Sequence, residues 1–177
     1  SELEDILRKL EKRMTDVERY LDESNKDLER AVRRVVETLK RIDDEIRRLL
    51  EEVERDLDRK GGNEDLKRKL RELLKRLEEH SERLKRRADE LLERSREHSE
   101  RLKEKLRRLL EEVRRRLDEV DKDELETRLR EITKTAEDEL RKHSRTNEDI
   151  VRELKELVDE HEKELRKVVR EAEDESR

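Results

Sequence analysis

The chain has 177 residues, 59% of them charged, with 50 basic and 55 acidic side chains, two Gly, and no Cys, Pro, Trp or Phe. Zero cysteine excludes disulfides, thiolate metal sites and cysteine nucleophiles, and charges interleaved to a net of −5 leave no basic face for nucleic acid. No apolar run approaches the roughly 18 residues of a membrane span, and no signal peptide is read at the start. High charge often marks disorder, but Leu, Ile and Val recur here at helical spacing, the pattern of long helices or a coiled coil.

Ser1 with Glu4 suits a capping box, and the periodicity that follows predicts a first helix over about 2–60. "RKGGNEDL" (59–66) ends it: Gly61 offers a left-handed terminator, Gly62 a linker, and Asn63 the cap of a second helix over about 64–119. "EVDKDELE" (119–126) is the second turn, where Asp121 with Glu124 or Asp123 with Glu126 can cap a third helix over about 123–175. "DESNKDLE" (22–29) and "SRTNEDIV" (144–151) also resemble caps. The apolar register continues through both without a slip, so each is expected inside a helix. The whole of 1–177 is read as one domain, with turns near 61–63 and 120–122.

The register has a period of 18 residues: Leu3, Leu21, Leu39 and Leu57 in the first helix, Leu66, Leu84, Leu102 and Val120 in the second, Ile132, Ile150 and Val168 in the third. Eighteen residues in five turns is the natural pitch of a straight helix, whereas a strict heptad would impose a left-handed supercoil. Short turns make neighbouring helices antiparallel. The fold class is therefore all-α: a long, nearly untwisted, antiparallel up-down-up three-helix bundle with an 18-residue layer repeat.

The same repeat carries a polar exception. "EEHSER" occurs at 78–83, and "REHSER" returns 18 residues later at 96–101. Matching positions about the two turns gives three equivalent layers. One is apolar, with Ile6, Leu7, Leu117 and Leu125. The next holds Ser24, Asn25, His98, Ser99 and His143, extended one turn by Ser95 opposite Asn147. The third holds Asp43, His80, Ser81 and His161 beside Ile42. His143 and His161 stand where Leu125 stands in the apolar layer, so they are core positions. His80 and His98 share a place with Arg116, so they belong to the boundary, with Ser81 and Ser99 inside. Buried polar groups need partners, and polar residues that coincide in three helices predict two connected hydrogen-bond networks.

Uniform Leu/Glu/Lys/Arg helices, a Gly-Gly-Asn turn, an integer layer repeat and isolated polar layers give the whole chain a construction that resembles de novo designed helical bundles with buried hydrogen-bond networks. Spectrin-type three-helix repeats are the nearest natural analogue, but the missing aromatics and prolines speak against them. The resemblance implies a structural scaffold without natural activity, or an engineered switch. An unpaired buried polar group costs about 1–3 kcal/mol, so a polar layer penalises every register that fails to align it.

Two alternatives accompany the scaffold reading. One is a pH-responsive bundle, since histidine titrates near 6.5; acid would place like charges on His98 and His143, while Asp43 beside His80 and His161 would favour their charged forms. The Asn25 layer is then the more acid-sensitive. The other is a subunit of a designed homo- or hetero-oligomer, for which Tyr20, Ala31, Val36 and Leu49 widen the apolar stripe of the first helix. A monomer is the favoured state. Met14 reads as a core gap-filler. Zinc or copper on two His with Ser, or on two His with Asp43, is a weaker reading. No helix carries His at i,i+4, and a structural zinc site wants four ligands, a catalytic one three plus an open position. No cofactor, metal, catalytic residue, nucleic-acid partner, membrane partner or obligate partner is expected, and the localisation is left open as that of a soluble, recombinantly expressed chain.

Overall fold

The computed structural model describes residues 1–175, and these form three helices packed against one another: α1 (Glu2–Arg59), α2 (Glu64–Arg115) and α3 (Lys122–Glu175). No strand occurs among the described residues. Local chemistry places each helix end. Ser1 Oγ accepts from the Glu4 amide at 3.3 Å, Asn63 Oδ1 from Leu66 at 3.1 Å and Asp121 Oδ1 from Glu124 at 2.8 Å, each satisfying an amide that the first turn leaves open.

At the end of α1 the Gly62 amide reaches back to the Leu57 carbonyl at 2.7 Å and the Gly61 amide to Asp58 at 3.3 Å. This is the paired-bond termination that needs a left-handed residue, and Gly61 and Gly62 supply it at φ of 101° and 77°. The second helix ends at Arg115 rather than near 119. There the bonds shorten to Leu117 onto Arg114 and Glu119 onto Arg116, a tighter winding that uses up the last residues before the turn. Both cap-like stretches, 22–29 and 144–151, continue as helix.

Contacts divide the chain into two compact units, Ser1–Glu29 with Leu92–Ile150, and Arg30–Leu91 with the residues from Val151 on. In the first, Leu10, Met14, Leu21, Leu102, Leu106, Leu125 and Ile132 form a core. In the second, the buried apolar set includes Val32, Leu39, Leu77, Leu84, Leu91, Leu154 and Val168. Cross-helix ion pairs fix direction within each unit. Arg114 meets Glu11, Arg107 meets Glu18 and Arg96 meets Glu29 in the first; Arg71 meets Glu54 and Arg47 meets Glu78 in the second. Partners descend α1 as they ascend α2, so the two run antiparallel.

The positions that widen the stripe of α1 divide: Ala31 and Val36 are half-buried, whereas Tyr20 and Leu49 are exposed at 46% and 55%. No described helix is long and apolar enough to cross a membrane.

Candidate functional site: two buried polar layers

In the first unit α1, α2 and α3 each bring polar side chains to one level of the core. His143 and the hydroxyl-bearing Ser95 and Ser99 are completely buried, while Ser24, Asn25, His98 and Asn147 are half-buried. The centre is Asn147. Its Oδ1 accepts from Ser95 Oγ at 2.6 Å, and its amide nitrogen donates to Ser24 Oγ at 2.9 Å and to His143 Nε2 at 3.3 Å. The other edge of His143 meets His98, Nδ1 to Nδ1, at 2.9 Å. One connected set of bonds therefore ties all three helices. Asn25 lies at its margin, with Oδ1 3.5 Å from a Ser95 hydroxyl whose single proton is already directed at Asn147.

In the second unit His161 is the centre. It is fully buried, with Nε2 donating to Asp43 Oδ1 at 2.8 Å and Nδ1 lying 3.0 Å from His80 Nδ1. Asp43 is 7% exposed and also lines an open cleft of about 780 Å3 between α1 and α2, with Lys40, Lys75 and Arg83 among its walls. His80 is half-buried. Here, too, all three helices are joined, through a chain of three side chains.

The two imidazole pairs share a geometry. Ring planes lie within 8° and 12° of parallel, with centroids 5.3 and 5.1 Å apart. Those separations are the Nδ1···Nδ1 distance plus one ring radius at either end. The rings thus meet edge to edge and in line, as an N–H···N bond requires, rather than face to face.

Burial and like neighbours act on the imidazoles together. For His143 burial is the larger cause and His98 the second, and they lower its pKa to about 4. His80 is also lowered, by burial and then by His161, against the opposing pull of Glu164 and Glu160. The expectation that Asp43 would sit beside both His80 and His161 and favour charge on each is corrected here. The carboxylate reaches His161 alone, and His80 lies on the far edge of that ring.

The structure places Ser81 and Ser99 inside their layers, fully buried, but their hydroxyls have no hydrogen-bond partner among the described residues. Each follows its histidine by one residue, which turns it about 100° around the helix from the ring it was expected to join. Sequence reasoning missed two buried ammonium groups, Lys67 and Lys103, at 6% and 7% exposure. Their stems lie along the core and their tips reach Asp58 with Glu64, and Asp22 with Glu100. Burial opposes the charge of Lys103, yet hydrogen bonds to Asp22 and Glu100 outweigh it and raise its pKa. The available signal was the repeat: Lys67, Lys85 and Lys103 each stand three residues after a glutamate.

Among the described residues no group of three His, Asp or Glu is arranged to hold a metal ion. His80 and Asp43 occupy opposite edges of His161 and so cannot converge on one point. Comparison with family models, with curated proteins and with solved structures found no significant match.

Proposed function

We propose that the chain is a designed structural scaffold whose two polar layers select the order and register in which its helices pair. One observation carries the reading: in each unit, the polar interruptions of three different helices join into one connected set of hydrogen bonds. Leucine at these positions would bury more apolar area but would accept any register that buries leucine. A layer in which Asn147 uses both amide protons and its carbonyl accepts only one. Sliding a helix by a turn would strand several donors and acceptors, each at about 1–3 kcal/mol, enough to depopulate the misaligned states. No catalytic role is assigned to the layers in this reading.

The repeat itself supplies the test. Replacing six of the first layer's residues with those found at equivalent positions (Ser24→Ile, Asn25→Leu, Ser95→Leu, Ser99→Leu, His143→Leu, Asn147→Leu) leaves only the half-buried His98 of its polar set and keeps the helical pattern. The variant should resist guanidinium at least as well as the parent but populate several pairing states, visible as a mixture of masses in light scattering and as faster amide exchange. A single species with the parent's mass and protection pattern would refute the role in register.

A second reading, acid responsiveness, is favoured by one specific feature. Register could be set by Asn and Ser alone, yet both layers are built on imidazole pairs. An N–H···N bond fails when both rings carry a second proton, and His143 lies completely buried with its pKa held down near 4. The scaffold would then be one that acid loosens at the Asn147 layer first.

A further inference from the structure

The two layers contain the same imidazole pair, but donor and acceptor accounting gives the pairs opposite proton polarity. In the second unit the Asp43 carboxylate can only accept, so His161 carries its proton on Nε2. With a single proton on each ring, His161 Nδ1 is bare and accepts from Nδ1–H of His80. That leaves His80 Nε2 with a free lone pair, on the ring edge facing away from His161. In the first unit the Asn147 amide nitrogen donates to His143 Nε2, so His143 carries its proton on Nδ1 and gives it to His98 Nδ1. His98 therefore presents Nε2–H. His80 and His98 occupy equivalent places in the repeat, 18 residues apart, and both are half-buried. One offers a nucleophile and the other a donor.

We propose that His80 Nε2 is a site of covalent acylation by activated acyl groups such as anhydrides and activated esters, with His161 and Asp43 as the proton relay behind it. The surroundings suit this role. Glu160 and Glu164 of α3 and Arg83 of α2 are the charged groups bearing on His80 besides His161, and burial keeps its ring neutral at pH 7. Its Nε2 makes no hydrogen bond among the described residues.

In the step, the Nε2 lone pair bonds to the acyl carbon and the carbon–oxygen bond to the leaving group breaks, the leaving group departing with that electron pair. The acylated ring would be cationic. Its Nδ1 proton passes across the 3.0 Å contact to His161 Nδ1, and the resulting imidazolium is held by Asp43 through Nε2–H. Charge ends on a buried ion pair, and the acylated imidazole is neutral. At His98 the corresponding lone pair is absent from the outer edge, and Asn147 cannot take up a proton.

Diethyl pyrocarbonate, limiting in amount and near pH 7, tests this on the intact folded chain; ethyl carbonate is its leaving group. Peptide mass spectrometry then reads the modification of each histidine. His80 should react about tenfold or more faster than His98, the two becoming equal when the chain is unfolded in guanidinium. Asp43→Asn replaces the carboxylate with an amide that can donate to His161 Nε2, as Asn147 does to His143, and should bring His80 down to the rate of His98. That loss separates proton polarity from simple accessibility. Equal rates in the folded parent, or a His80 preference unchanged in a folded D43N chain, would overturn the proposal. Should D43N fail to fold, ring-nitrogen NMR of the parent decides: Nδ1–H on His80 with Nε2–H on His98 supports it, and the same tautomer on both overturns it.

Discussion

Lowering the pH from 7.4 to 5.2 should weaken the fold through His143. The folded pKa is about 4, against about 6.5 in an unfolded chain. Because the folded value is depressed, the unfolded state binds more protons between the two. The stability that neutral His143 contributes is complete above about 6.5, declines as pH falls through that value, and is gone near 4. Across the chosen interval linkage gives at most about 2 kcal/mol, and about 1 kcal/mol once water reaching the layer at its half-buried His98 edge is allowed to screen the charge. With a denaturant slope of about 4 kcal/mol/M in guanidinium, the midpoint followed by helical circular dichroism should fall by about 0.3 M. Other groups titrate as well, so the decisive quantity is the difference between the parent and a variant with His98→Asn and His143→Asn. The variant should lose this increment. An identical shift in both chains would refute the assignment of acid sensitivity to this layer.

His161→Leu strands a nearly buried Asp43 carboxylate and should cost about 3 kcal/mol in chemical denaturation, most of it recovered when Asp43→Leu is added. Ser81→Ala and Ser99→Ala delete hydroxyls that are buried without a partner among the described residues, so each should be neutral or stabilising by up to about 1 kcal/mol, where a networked serine such as Ser95 should cost a similar amount. Gly61→Ala meets open space but a φ of 101°, and should lower the thermal midpoint through about 1 kcal/mol of backbone strain.

The composition of each layer was legible because an integer repeat and two short turns reduce helix matching to arithmetic. Leu21, Leu39, Leu84, Leu102, Ile132, Ile150 and Val168, all on the repeat positions, are buried. Those same offsets bring His98 to His143 and His80 to His161. What arithmetic could not supply is direction around a helix and the position of a proton. Ser81 and Ser99 are adjacent in sequence to the paired rings but point elsewhere. Asp43 touches one imidazole instead of two, because the in-line geometry puts His80 beyond reach on the far side of His161. Nor does a pattern of apolar residues reveal that the ammonium groups of Lys67 and Lys103 end up buried, since their tips are paired by carboxylates from α1.

The proposed acid response and the proposed reactivity of His80 both rest on N–H···N bonds between imidazoles, which also join α2 to α3 in each polar layer. The most direct measurement is the nitrogen–nitrogen scalar coupling across each bond, with the side-chain nitrogens labelled, at pH 7.4. The expected result is a coupling between the Nδ1 nuclei of His98 and His143 and another between those of His80 and His161, with the proton on His143 in the first and on His80 in the second. Uncoupled rings with tautomers averaged as in a free imidazole would contradict the account.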